Sequence, residues 1–315
     1  MTLAFVCPGQ GSQSLGMQRD LAATYDVVQS TYAEASEILG YDLWQLVQEG
    51  PAERLNETVV TQPAMLAAGV AAYRVWKAAG GSDPQQLAGH SLGEYTALVC
   101  AAALDFGDAV KLVQRRSQLM QDAVPAGHGA MAALLGLDDE QVVAVCDSAS
   151  TIGVAEAVNF NSPGQVVVAG ERAAVERVIE LAREQGARRA IMLPVSVPSH
   201  ASLMRPAGDA LAEALAATDF RTAAIRVVNS VDATPYGGAD DMREHLRKQV
   251  FSPVRWVDTI NAMLAGGAGT VIECGPGKVL TGLNKRIART IPTGFIDTPE
   301  SVQAALLQQL YDGDA

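Results

Sequence analysis

The feature that most constrains the fold is the run Gln86-Leu87-Ala88-Gly89-His90-Ser91-Leu92-Gly93-Glu94. A short apolar segment enters a turn holding a serine between two close-spaced glycines, and a helical pattern from Tyr95 to Leu104 leaves it. Glycines relieve crowding where no Cβ fits. G-x-S-x-G placed between strand and helix lifts a serine hydroxyl clear of a sheet. Ala4 to Cys7 breaks in a related way at Pro8-Gly9-Gln10-Gly11-Ser12-Gln13. Ile225 to Asn229 and Gly269 to Glu273 read as two further strands, the second ending in Gly275-Pro276-Gly277. Helical patterns separate these strands, so the expected class is α/β, a sheet with helices on both faces.

One segment departs from that rhythm. Residues 126 to 196 read as strand 130–135, helix 138–149, strand 154–160, strand 165–169, helix 171–186 and strand 188–194. This β-α-β-β-α-β order is ferredoxin-like. Asp138 and Asp139 suit a helix start, and Ser162-Pro163-Gly164 suits a turn. The expected organisation is a large α/β domain over 1–125 and 197–315 with an inserted α+β subdomain over 126–196.

The insert leaves the serine at the head of its own helix. There the helix dipole and the N–H of Leu92 stabilise an oxyanion, which makes Ser91 a nucleophile candidate; the plain alternative is a helix cap. His90 is a poor base because its neighbour on a tight turn points elsewhere. His128 lies on the approach to the insert, and His245 sits among Arg243, Glu244, Arg247 and Lys248, as on a solvated helix face. His200 is left as the base, after Pro194 to Ser199 and before a helical pattern from Ala201 to Ala217, where a helix N-terminus favours the neutral imidazole. Asp138, Asp139, Asp147 and Glu156 all fall inside the insert, and none has a clear claim to orient His200. A backbone carbonyl in that role leaves a Ser-His dyad.

On the pattern from Asp105 to Val124, Arg116 has Leu112, Val113, Leu119 and Met120 on its own face, whereas Arg115 has Lys111 and Gln118. A guanidinium on a core-facing stripe needs an anion, and its fork suits a carboxylate. Either an internal acid or the free carboxylate of a substrate meets that need. The second choice selects acyl groups with a carboxylate at the far end.

These residues resemble the malonyl-CoA:acyl-carrier-protein transacylases of type II fatty acid synthesis over nearly the whole chain. The resemblance rests on Pro8 to Gln13, Gly89 to Tyr95, Arg116, Asn159-Phe160-Asn161-Ser162-Pro163-Gly164-Gln165, Pro198-Ser199-His200 and Gly275-Pro276-Gly277-Lys278-Val279-Leu280. It implies a hydrolase-like α/β domain with a parallel sheet and a ferredoxin-like insert. It implies Ser91 as the acylated nucleophile, His200 as its base and Arg116 as the clamp on the malonyl carboxylate. By the same resemblance Gln10 joins Leu92 in the oxyanion hole, the Gln249 carbonyl orients His200, and Asn159 and Asn161 line the cleft. Ser199 stands where many malonyl-selecting relatives in polyketide synthases carry Phe, and a smaller residue leaves room for a branched acyl group.

The partners so implied are malonyl-CoA and an acidic acyl carrier protein. A chain with 23 Lys+Arg against 35 Asp+Glu, net charge -12, needs a local basic face to receive such a protein. Arg189, Lys285 and Arg286 are the candidates. The same charge argues against nucleic acid. No apolar run approaches a membrane span and no basic leader precedes Leu3, so a cytoplasmic protein is expected, and a monomer is expected beside it. Cys7, Cys100, Cys146 and Cys274 are scattered in apolar company and read as free buried thiols, with no metal site. No cofactor is expected, because Ser14 and Ile272 stand where the dinucleotide and phosphate-loop patterns need glycine. The rival readings are a serine esterase or thioesterase, a malonyl transacylase of polyketide synthesis or malonate degradation, and a scaffold that lost the chemistry.

Overall fold

The computed structural model describes residues 2–125, 127–195 and 197–313; the expected subdomain boundaries at Ala126 and Ser196 lie outside the described residues. Nine strands are described: β1 (Thr2–Cys7), β2 (Gln86–Gly89), β3 (Gly129–Leu135), β4 (Ala155–Ser162), β5 (Gln165–Glu171), β6 (Arg189–Met192), β7 (Arg226–Val228), β8 (Ala268–Cys274) and β9 (Thr293–Ile296). They form two sheets. The first has the order β7-β2-β1-β8-β9 and every pairing in it is parallel.

Apolar side chains on both faces explain why this sheet is covered twice. Leu3, Phe5 and Cys7 point into one core with the helices Val27–Leu39, Thr58–Ala78 and Phe106–Asp122. Ala4, Val6, Ala88 and Val228 point into another with the helix Trp256–Ala265. β9 is a strand that the pattern did not announce. It is four residues long, includes Gly294 and pairs only through β8.

The second sheet is antiparallel with the order β4-β5-β3-β6, the ferredoxin-like arrangement. Its helices Asp139–Ala149 and Arg172–Glu184 bury Ala130, Ala132, Leu134, Val166 and Val168 on one face. The first of them starts with a capping box between Asp138 and Gln141. The other face of the sheet, with Met131, Val158, Val167 and Ala169, packs against Ala201 of the large domain. β4 is also tied across by the backbone bonds Phe160 N to Val254 O (3.0 Å) and Val254 N to Val158 O (2.8 Å). The cleft therefore lies between one sheet face and the carboxyl ends of β1 and β2.

Candidate active site

Backbone crowding builds the turn at Ser91. A Cβ on Gly89 would fall 1.9 Å from the Gly93 carbonyl carbon, and one on Gly93 would fall 2.0 Å from the Cys7 carbonyl oxygen. Only glycine fits at either place. Ser91 itself takes a φ of 52°, a left-handed conformation that is uncommon outside glycine. The helix leaving the turn spans Gly93–Cys100, shorter than the sequence pattern to Leu104. Pro8-Gly9-Gln10 packs on the same turn, since a Cβ on Gly9 would lie 2.5 Å from the His90 carbonyl oxygen and 3.7 Å from the Leu92 nitrogen. Gln10 and Leu92 both line the cavity, and neither backbone N–H has a hydrogen-bond partner among the described residues. Two unengaged donors beside a serine suit an oxyanion.

His200 reaches the serine from the far side of the cleft. Its Nε2 lies 2.8 Å from Ser91 Oγ, and its Nδ1 lies 2.7 Å from the carbonyl oxygen of Gln249. A carbonyl only accepts, so Nδ1 carries the proton and Nε2 is free to take one from the serine. Among the described residues no carboxylate completes a triad. Glu156, one of the acids in the insert, is occupied by the backbone N–H of Ser202 at 2.6 Å.

Burial and then the nearby Arg116 charge lower the pKa of His200 to about 3. The cause differs from the expected helix dipole, because Ser202–Met204 forms a 3-10 turn and the α-helix starts only at Arg205. A lowered imidazole pKa keeps the base form as pH falls. We therefore expect kcat/KM for acylation to stay flat from pH 8 down to about pH 5, where an imidazole of ordinary pKa is mostly protonated. In Arg116→Ala the acid limb should move upward, since the nearby positive charge that disfavours imidazolium is gone. Stability carries the same sign: the unfolded chain protonates this histidine first, so stability is lost as pH falls from about 6.5 toward 3. A pH profile of pre-steady-state acylation checks both.

Arg116, on the helix Phe106–Asp122, is 1% exposed. Its Nη1 donates to Gln62 Oε1 (2.6 Å), and its Nη2 donates to Gln249 Oε1 (3.0 Å) and Ser91 Oγ (3.3 Å). Its Nε has no hydrogen-bond partner. Tyr95 lies under the guanidinium, 5.6 Å from ring centre to Cζ. Among the described residues the internal acid that the sequence left open is not in contact with it: every hydrogen-bond acceptor of Arg116 is neutral. A buried cation held by neutral acceptors still lacks its anion.

The cavity in front of Ser91 has a volume of about 290 Å³ and is lined by Arg116, His200 and Asn159, with Met120, Met131, Val167 and Leu193 as its apolar wall. Ser199 lines it too. Asn159 Oδ1 is buried there without a partner. Asn161 is placed otherwise than expected. It is 8% exposed, does not line this cavity, and its Oδ1 lies 2.8 Å from His90 Nε2. Asn161 thus holds His90 away from the serine instead of meeting a ligand.

One residue, Gln62, and the side-chain role of another, Gln249, escaped the sequence. Gln62 is the lone amide in the apolar helix Thr58–Ala78, a signal that could have marked it. The Gln249 side chain does as much as its carbonyl, as its bond to Arg116 shows. His245 is not on a solvated face: it is pinned between Asp232 (3.0 Å) and Asp241 (2.9 Å), far from the serine in role. Although burial depresses its pKa, these two carboxylates outweigh that and raise it.

Two of the three basic candidates, Arg189 and Arg286, are tied to one cross-strand row, and Lys285 adjoins Arg286 in sequence. Leu135 pairs with both Gln165 and Arg189 in one cross-strand row, and Arg286 donates to Gln165 Oε1. Two strand spacings, about 10 Å, separate Arg189 from Gln165. Arg189, Lys285 and Arg286 are all exposed. Because side chains alternate along a strand, this row is on the same face as Met131 and Val167, the cavity wall.

A serine elbow, a carbonyl-held histidine and a buried arginine on an α/β sheet define an acyl transferase, and residues 4–294 match the acyl transferase domain family. The chain belongs, within that class, to the malonyl CoA-acyl carrier protein transacylases. It is 53% identical over 303 residues to the enzyme of that name from Escherichia coli K12, covering 96% of this chain and 98% of that one. It is 44% identical to the Bacillus subtilis 168 enzyme, covering 96% of each. A crystal structure of an acyl carrier protein S-malonyltransferase from Vibrio cholerae matches with a TM-score of 0.94 at 54% identity, covering 97% of this chain and 100% of that one. Another match, at TM-score 0.96 and 50% identity, covers 98% of this chain and 100% of a malonyl-transacylase in complex with a type II PKS acyl-carrier protein. No helix among the described residues is long and apolar enough to cross a membrane, and no group of three or more His, Cys, Asp or Glu among them is placed to hold a metal.

Proposed function

We propose that the chain moves a malonyl group from coenzyme A to the pantetheine thiol of an acyl carrier protein through an ester on Ser91. The observation that carries this reading is Arg116, a buried guanidinium without an anion whose Nη2 lies 3.3 Å from the nucleophile. A thioester carbonyl at Ser91 Oγ puts the far carboxylate of a malonyl group within reach of that fork. A plain fatty acyl chain leaves the charge unmet.

Ser91 Oγ attacks the thioester carbon while His200 Nε2 takes its proton. The N–H groups of Gln10 and Leu92 receive the charge on the carbonyl oxygen. When the C–S bond breaks, His200 returns the proton to the departing thiolate and coenzyme A leaves. In the second half the carrier's thiol gives its proton to His200 and attacks the ester, and the proton then passes to Ser91 Oγ. Two displacements at one serine make the kinetics ping-pong. No cofactor or metal takes part in these steps.

Arg189 and Arg286 at this row, with Lys285 next to Arg286 in sequence, support docking of an acidic carrier beside the cavity mouth. Lys285→Glu with Arg286→Glu is expected to lower kcat/KM for the carrier protein about tenfold or more at low salt, while the burst of coenzyme A release on acylation stays unchanged. Equal transfer by wild type and variant would remove the patch from the account. The buried free thiols Cys7, Cys100, Cys146 and Cys274 support a reducing, cytoplasmic setting. Large exposed apolar residues are spread over different elements, which supports a monomer. The experiment that tests the transfer itself is exchange of labelled coenzyme A into malonyl-CoA without carrier protein. Ping-pong transfer predicts exchange that depends on Ser91, and a hydrolase predicts free malonate instead.

A further inference from the structure

Glu94 opens the helix that follows the nucleophile, is 0% exposed, and takes no part in the steps above. Its Oε2 accepts from Ser230 N (3.2 Å), Ser230 Oγ (2.8 Å) and Gln249 Nε2 (2.8 Å), and its Oε1 accepts from the Tyr236 hydroxyl. All four partners donate. A carboxylate meets them all as acceptor, and although burial raises the Glu94 pKa, these hydrogen bonds act against that shift. No ion pair of Glu94 with Arg, Lys or His is present among the described residues.

The amide of Gln249 is the link to the site. Its Nε2 donates to Glu94 and to the carbonyl oxygen of Ser91 (3.1 Å), while its Oε1 accepts from Arg116 Nη2 (3.0 Å). Turning that amide over would set its oxygen against two oxygens and its NH₂ against the guanidinium. All three bonds would be lost in a buried place, where unmet polar groups are costly. Glu94 thus stands one amide away from Arg116. It does not touch the fork that the substrate must occupy, so the anion that Arg116 lacks is still to come from the substrate.

We propose that Glu94 is a positioning residue for substrate selection: by fixing the Gln249 amide with its oxygen toward Arg116, it aims the guanidinium at the terminal carboxylate of the acyl group. The inference rests on the reading of Arg116 given under Proposed function. Glu94→Gln keeps the shape and offers Gln249 an NH₂ that lets its amide turn over. Glu94→Asp keeps the charge and withdraws it from Gln249. Tyr236→Phe removes a bond to Glu94 that does not involve Gln249.

The readout is the ratio of kcat/KM for malonyl-CoA to that for acetyl-CoA in acylation of the full chain. In either Glu94 variant, whichever of the two yields folded protein, the ratio is expected to fall about tenfold, mainly through KM for malonyl-CoA. Uptake of acetyl groups should stay within about twofold. In Tyr236→Phe the melting temperature should fall while the ratio holds. In a Gln249→Met background Glu94→Gln should leave the ratio where Gln249→Met alone puts it. An unchanged ratio in the Glu94 variants, an equal loss for both substrates, or the same shift in Tyr236→Phe would overturn the inference. Absence of a malonyl ester on the wild-type chain would instead overturn the reading of the site on which it rests.

Discussion

Ser91→Ala is expected to leave the protein folded, to form no malonyl ester, and to lower transfer at least about 10,000-fold. Ala lacks the oxygen that forms the new bond, so the two-step route is closed and only direct attack by the carrier thiol remains. The oxyanion N–H groups and the substrate clamp survive in this variant, and in serine hydrolases such remnants give residual rates far below the intact enzyme. Ala also takes a left-handed φ unwillingly, so a modest fall in melting temperature should accompany the loss. Stopped-flow release of coenzyme A and thermal denaturation measure the two effects separately. A variant with wild-type turnover would place the nucleophile elsewhere.

The second large effect is expected at Arg116→Ala, where kcat/KM for malonyl-CoA should fall about 100-fold to 1,000-fold and uptake of acetyl-CoA should hold or rise. Removing one side of a buried, hydrogen-bonded charge pair costs on the order of 2 to 5 kcal/mol, which is the source of that range. The selectivity should therefore invert. The free variant also sheds a buried guanidinium whose pKa is lowered by burial, with Tyr95 and Glu94 acting against that shift. Parallel acylation assays with the two thioesters check the inversion. An equal loss on both would make Arg116 a structural residue.

The parts of the fold and site that could be read from the sequence share one property: their signal is local. Gly89, Ser91 and Gly93 lie within five residues because a tight turn demands them there, and the alternation in β3 to β6 repeats within each strand. Arg116 could be read because one helical turn on either side is apolar. Its partners could not. Gln62 and Gln249 meet it from 54 and 133 residues away, and nothing in a local pattern encodes which neutral groups fold back onto a charge. The same holds for His245, whose charged sequence neighbours suggested solvent while Asp232, 13 residues upstream, covers it. Asn161 shares a motif with Asn159, yet strand irregularities between Ala157 and Asn159 and between Phe160 and Ser162 re-aim this stretch, and the two amides part. The lowered pKa of His200 was expected in direction from a helix end. Its causes, burial and Arg116, come from elements brought together only by the tertiary fold.

Intact-mass spectrometry of the wild-type chain mixed with malonyl-CoA, followed by addition of acyl carrier protein, tests the central claim most directly. The expected result is a single adduct of one malonyl group that maps to Ser91, is absent from Ser91→Ala, and moves to the carrier protein when it is added. No adduct with steady release of free malonate, or an adduct that persists in Ser91→Ala, would contradict it.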